Sequence, residues 1–230
     1  MKKIFSIFCI FCVSCVFNVS KACAQMTDRR NDLAIGVNGG VLMNSLNFQP
    51  TIKQNQKLSG MVGLSGRYVC EKYFKTICAV QAELNFALLG WKENIETSDE
   101  TYSRTMPYIQ LPLLMQMGWG KEQHGCKFIF EAGPQFGLSL GSTEHKSDPF
   151  TGQGRPNGVN MQYGKEADNI FDYGITGGIG LEISQEKTHL IISARYYYGL
   201  ADIYDNSKKG DFSRSANQTI MLKVAYLCDL

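Results

Sequence analysis

Thr219–Leu230 reads TIMLKVAYLCDL, and its two faces decide the fold. Successive residues of a strand point to opposite sides. Ile220, Leu222, Val224, Tyr226, Cys228 and Leu230 therefore form one apolar stripe. Thr219, Met221, Lys223, Ala225, Leu227 and Asp229 form the other face, with a lysine in its middle. The same alternation runs through Cys126–Leu140, where Phe128, Phe130, Ala132, Phe136, Leu138 and Leu140 oppose Lys127, Glu131, Gly133, Gln135, Gly137 and Ser139. It recurs in Thr76–Leu89, where Val80, Ala82, Leu84, Phe86 and Leu88 oppose Gln81, Glu83 and Asn85.

Extending the pattern predicts eight strands: Leu33–Met43, Leu58–Cys70, Thr76–Leu89, Tyr102–Trp119, Cys126–Leu140, Ile170–Ser184, Thr188–Ile203 and Ala216–Leu230. The connections alternate long and short. Asn44–Lys57, Gly90–Thr101, Gly141–Asn169 and Tyr204–Ser215 are long, whereas Glu71–Lys75, Gly120–Gly125 and Gln185–Lys187 are short. That rhythm belongs to an all-β, eight-stranded antiparallel up-and-down barrel with both termini at the short-turn end. Gly141–Asn169 is rich in Gly, Pro and Asn and reads as a surface loop, not as a further hairpin.

Side-chain size decides which face is inside. The stripes opposite the apolar ones are small or polar, as in Gly36, Asn38 and Gly40, or Thr176, Gly178 and Gly180. An eight-stranded barrel has an interior just wide enough for side chains. Eight stripes of Phe, Leu and Tyr would overfill it, so the apolar face should meet lipid and the barrel should be transmembrane. Tyr68, Trp119, Phe128 and Tyr226 are expected in an aromatic belt at the short-turn end, and Trp91, Phe171, Tyr173 and Tyr198 in one at the long-loop end. Short turns then face the periplasm and long connections face outward.

The start of the chain agrees with export. Met1-Lys2-Lys3, an apolar run from Ile4 to Val19 and the small-residue end Ala22-Cys23-Ala24 read as a signal peptide over 1–24, leaving 25–230 as the barrel domain. Losing Lys2, Lys3 and Lys21 leaves 20 basic residues against 21 acidic ones, a balance that does not point to nucleic acid. The leader also takes Cys9, Cys12, Cys15 and Cys23, so that Cys70, Cys78, Cys126 and Cys228 remain. None has zinc-site spacing, and no metal or cofactor is expected. Cys70 and Cys78 flank one short turn on adjacent strands, which leaves a disulfide between them open.

The segments YIQLPLL (Tyr108–Leu114), FEAGPQFGL (Phe130–Leu138), YGITGGIGLEI (Tyr173–Ile183) and ISARYYYGL (Ile192–Leu200), with the closing strand, resemble the outer-membrane β-barrel domain family of Gram-negative bacteria. Its members are often labelled porin-family or PorT-like. The resemblance implies an eight-stranded barrel in the outer membrane and carries no catalytic residues. The closing residue, Leu230, departs from the aromatic end of many outer-membrane barrels.

The inward face carries charges of both signs: Arg67, Glu83, Lys127, Glu131, Asp172, Glu182, Arg195 and Lys223. Lone buried charges are costly, so these should pair into a structural network that plugs the lumen. Pro112 and Pro134 should mark bulges or bends. Ser142, His145 and Asp148 share a loop and are read as ordinary loop composition, not as a hydrolase. Glu93, Glu96, Asp99 and Glu100 read as a solvated acidic loop, not as a calcium site. The expected function is therefore non-enzymatic: a structural or interaction barrel bathed in outer-membrane lipid, whose long loops contact an envelope or extracellular protein or a glycan. The alternatives are a small channel or transporter, and an accessory subunit of a secretion or assembly machine.

Overall fold

β-Branched and aromatic residues in strict alternation build long strands in the computed structural model, which describes residues 33–73, 76–95, 100–120, 125–152, 159–185, 187–205 and 212–230. The leader expected over 1–24 lies outside them. The strands are β1 (Leu33–Gln49), β2 (Gln54–Asn55), β3 (Lys57–Tyr73), β4 (Thr76–Glu93), β5 (Tyr102–Gly120), β6 (Gly125–Ser139), β7 (Thr143–Lys146), β8 (Phe171–Gln185), β9 (Thr188–Asp202) and β10 (Arg214–Asp229). All described pairings are antiparallel. The long strands close a ring in the order β1, β3, β4, β5, β6, β8, β9, β10, with β10 back on β1. A circuit of hydrogen-bonded neighbours that leaves β3 at Gly60 returns to it at Glu71. That stagger is the shear of a closed barrel with tilted strands.

The apolar stripes lie outside. Leu64, Leu84, Phe130, Ile179 and Leu222 are all at least 45% exposed, while Gln81, Glu83, Glu131 and Arg195 on the opposite face are buried. This inversion of the usual rule fits a lipid solvent, in which apolar side chains lose nothing by facing out. Tyr68, Trp119, Phe128 and Tyr226 ring the short-turn end on the outer face.

At 15–19 residues, the long strands exceed the 9–11 that a tilted strand needs to cross a membrane. The surplus projects at the long-loop end, and there the polarity reverses on β1 and β4 with no shift of the β1–β10 or β4–β5 register. On β1 the inward residues run from Asn38 through Leu42 to Leu46 and Phe48, while the outward ones run from Val37 and Val41 to Ser45, Asn47 and Gln49. On β4 the inward series passes from Glu83 and Asn85 to Ala87, Leu89 and Trp91. Above the belt the outer solvent is water, so the barrel there has the apolar interior of a soluble protein.

Trp91 is accordingly not in the outer aromatic belt: it is 0% exposed and points inward. Its parity with Glu83 requires this, since β4 and β5 keep one register from Thr76↔Trp119 to Lys92↔Ser103. Tyr198 does face outward, half-buried under Arg214, which donates to its hydroxyl at 2.8 Å. Pro112 and Pro134 interrupt the neighbouring ladders but shift neither register, so they are not bulges. The bulges lie at Val69/Glu71 and Ala216/Gln218. Gly141–Asn169 is more ordered than its composition suggests. Thr143–Lys146 adds to the projecting end of β5 as β7, and Val159 and Gln162 are buried.

Candidate functional site: the lumen and its cap

The inward face holds two ionic layers. At the short-turn end Glu182 on β8 is the hub. It accepts from Arg67 on β3 at 2.9 Å, from Lys127 on β6 at 3.1 Å and from the Ser184 hydroxyl at 2.9 Å. His189 Nδ1 lies 2.6 Å from it, and His189 Nε2 lies 3.1 Å from Asp229. Reading sequence motifs missed His189, yet counting in twos from Arg195 along β9 places it inside.

The middle layer is centred on Arg195 of β9. Its guanidinium donates to both oxygens of Glu83 on β4, at 3.0 and 2.9 Å, and to both oxygens of Glu131 on β6, with Nη2 at 2.9 Å from Oε2. Lys223 of β10 also pairs with Glu83. Gln116 bridges Glu131 at 3.0 Å and Gln81 at 2.9 Å, and Asn85 donates to Glu83 at 3.0 Å. Every carboxylate lone pair in so dry a place needs such a donor. Gly178 makes room: a Cβ there would come within 2.8 Å of Arg195 Cγ.

Seven of the eight inward charges thus meet in these two layers. Asp172 does not. It lies nearer the long-loop end and accepts from Asn217 at 2.9 Å, with no ion pair to a cation among the described residues. The reason is its level on β8, above the rings of arginine and lysine.

Above Asp172 the bore fills with rings. Phe48 packs edge-on to Trp91 at 5.1 Å, Trp91 against Tyr102 at 5.1 Å, and Tyr204 against Phe212 at 5.3 Å. Such pairs contribute about 0.5–1.5 kcal/mol each beyond area burial. Tyr163 and Phe150 of the third long connection close over Tyr102 at 4.8 and 6.0 Å. Three carboxylates tie this cap down. Glu144 on β7 takes donors from Arg104, from the Tyr102 hydroxyl at 2.6 Å, from the Gly164 amide at 2.9 Å and from Lys146 at 2.7 Å. Burial would push its carboxyl up, but Lys146, Tyr102, Gly164 and Arg104 hold it down at about 2. Glu100 accepts from the Thr151 amide at 2.8 Å and its hydroxyl at 2.6 Å. Glu93 is not part of a solvated acidic loop: it is buried and accepts from the Tyr163 hydroxyl at 2.7 Å. Glu96 and Asp99 lie outside the described residues.

No nucleophilic site emerges among the described residues. Ser142 accepts from Arg104 at 3.2 Å and His145 faces outward opposite Ser103, so the loop trio is not assembled. Ser184, His189 and Asp229 do line up, with Ser184 Oγ 3.2 Å from His189 Nδ1. However, the Ser184 hydroxyl is buried inside the lumen, and the Glu182 carboxylate it donates to is already held by Arg67, Lys127 and His189, so the row forms part of the ionic layer. No group of three or more His, Cys, Asp or Glu among the described residues is set to hold a metal.

The ladder does not set Cys70 and Cys78 opposite each other, as the disulfide left open by sequence would need; the thiols of Cys78, Cys126 and Cys228 are free and exposed, and Cys70 is exposed with its Sγ 3.8 Å from the Tyr68 carbonyl. The bulge is the reason. It sets Glu71, not Cys70, opposite Cys78.

A closed ring with lipid-facing stripes, a charged interior and an aromatic belt defines the class: an outer-membrane β-barrel. Residues 23–205 match the family described as outer membrane protein beta-barrel domain, and the chain belongs to that family. Among solved structures it is similar to Neisserial surface protein A (9% identity, TM-score 0.46, covering 86% of this chain and 97% of that one). It is also similar to the outer membrane enzyme PagL (11%, 0.47, 83% and 97%). A third is Ail, the attachment invasion locus protein of Yersinia pestis, in complex with the heparin analogue sucrose octasulfate (13%, 0.40, 86% and 99%). A comparison with curated proteins finds no match.

Proposed function

We propose that this outer-membrane protein is a closed, non-enzymatic barrel of the interaction type, which holds a rigid cap at the cell surface for a protein or glycan partner. One observation carries the reading: the interior is occupied along its length, by ion pairs that cross the bore below and by aromatic rings above. A barrel so crossed offers a solute no continuous path from one side to the other. Its ordered loop end, by contrast, has a fixed shape to recognise. The lumen charges are structural in this account. They satisfy one another and hold opposite walls together.

The leader over 1–24 is removed on export, and 25–230 forms the barrel domain; the N-terminal sequence of the protein from outer membranes should start at Gln25. The interaction role is tested with photo-crosslinking side chains at Met161, exposed in the cap, and at Lys187, in a periplasmic turn. A discrete adduct from position 161 on intact cells is expected. A discrete adduct from position 187 alone would replace the reading with an accessory subunit of an envelope assembly.

A further inference from the structure

We propose that Trp91, Arg104, Gln162 and Tyr204, beneath the cap, form a binding site for a small hydroxycarboxylate. All four residues are no more than 1% exposed. Each leaves one polar atom without a hydrogen-bond partner: Trp91 Nε1, Arg104 Nε, Gln162 Oε1 and the Tyr204 hydroxyl. Buried polar groups are ordinarily paired, and an unpaired one carries its full desolvation cost.

The four belong to one neighbourhood. The Trp91 ring lies 5.1 Å from both Tyr102 and Phe48, and Phe48 lies 6.3 Å from Tyr204. Arg104 Nη2 donates to the Tyr102 hydroxyl at 3.3 Å and to the Gln162 carbonyl at 3.5 Å. The nearby anion does not serve them. Glu144 Oε1 already receives Tyr102, Arg104 Nη2 and the Gly164 amide, and its Oε2 is drawn to Lys146.

The chemistry of the vacant bonds selects the ligand. Trp91 Nε1 and Arg104 Nε can only donate, and the Tyr204 hydroxyl is free to donate. A carboxylate accepts from several donors at once, and an arginine edge matches its geometry. Gln162 Oε1 needs a donor, which a ligand hydroxyl supplies. Aromatic walls with a few convergent polar groups are the ordinary make-up of a small-molecule site. Access is from the cell surface, since ion pairs cross the bore below.

Trp91 is its own reporter. The chain has two tryptophans, so Trp119→Phe leaves Trp91 alone. Folding is checked by heat-modified gel mobility, and sodium lactate is then titrated against sodium chloride at equal ionic strength. A saturable change of Trp91 emission with lactate, absent with chloride, is expected. Tyr204→Phe should weaken the apparent affinity about tenfold, the worth of one charge-assisted hydrogen bond. Arg104→Lys, which keeps the charge beside Glu144 but loses Nε, should weaken it at least as much. No saturable change in the folded parent, or an equal response to chloride, would overturn the proposal and assign these atoms to water. An affinity unmoved in folded Tyr204→Phe would overturn it as well.

Discussion

Glu83 and Arg195 are 112 residues apart and lie on β4 and β9, which face each other across the ring at four strands in either direction, yet their side chains meet in a two-bonded pair at 2.9 and 3.0 Å. Arg67 on β3 and Glu182 on β8 repeat the relationship nearer the periplasm, again across four strands, at 2.9 Å. Two ion pairs thus span the full bore at two levels. That is how a barrel of this size is closed by side chains instead of by an inserted domain.

The middle layer predicts a graded mutant series. Arg195→Ala leaves Glu131 with Gln116 as its hydrogen-bond donor among the described residues and with no cation in direct contact there, whereas Glu83 keeps its contact with Lys223. Breaking a buried pair costs on the order of 3–5 kcal/mol. Water entering the vacated space would lessen that figure. Adding Glu131→Gln to Arg195→Ala should recover part of the loss, because the orphaned charge is then gone. Urea unfolding of the single and double variants in micelles measures the coupling; equal stability for the two would contradict the assignment.

Polarity reversal along the strands predicts position-dependent tolerance of charge. Leu84→Arg, on the lipid face at mid-belt, should cost about 2–4 kcal/mol, whereas Asn47→Arg, outward on the projecting end of β1, should cost about 0–1 kcal/mol. Folding equilibria in lipid vesicles provide the comparison. Similar costs at both positions would mean that the belt extends to the strand ends.

The cap should loosen in acid. The Glu144 carboxyl sits at about 2 in the folded protein against an ordinary 4.5. A group whose value is lowered by folding stabilises above its unfolded value and loses that contribution as pH falls through the folded one. Protease cleavage of the third long connection should therefore rise between pH about 4.5 and about 2. Glu144→Gln should be cleaved readily at neutral pH and show less change across that window. An acid-insensitive wild-type cap would contradict the role given to Glu144.

The cysteines test topology. Cys70, Cys78, Cys126 and Cys228 are exposed and gathered at the short-turn end. A membrane-impermeant maleimide should leave them untouched on intact cells and label them after the outer membrane is permeabilised. All four should be alkylated without reductant. Labelling on intact cells would invert the barrel, and a Cys126–Cys228 link would break the strand order.

Much of this was legible in the sequence. Period 2 in Thr219–Leu230 and Cys126–Leu140 identified the strands and the inward charges, since facing is a local property of the chain. What pairs with what was not, because Arg195 finds Glu83 through closure of the ring, which no local spacing records. Trp91 was misplaced for a different reason. An aromatic near a strand end was read as a belt residue, when its parity with Glu83 already set it inside. The polarity switch explains the error: the same inward stripe is charged within the membrane and aromatic above it. His189 was overlooked because its partners, Glu182 and Asp229, lie on neighbouring strands. Cys70 and Cys78 were brought too close on paper because a one-residue bulge leaves no mark in composition.

Closure of the lumen is the central claim, and planar-bilayer conductance of the refolded protein tests it most directly, with heat-modified gel mobility to establish that the barrel is folded. Folded wild-type protein should leave the bilayer at its baseline conductance. Steady, large-conductance channels from the same folded sample would contradict the crossed ion pairs and the aromatic plug, and would make the protein a channel.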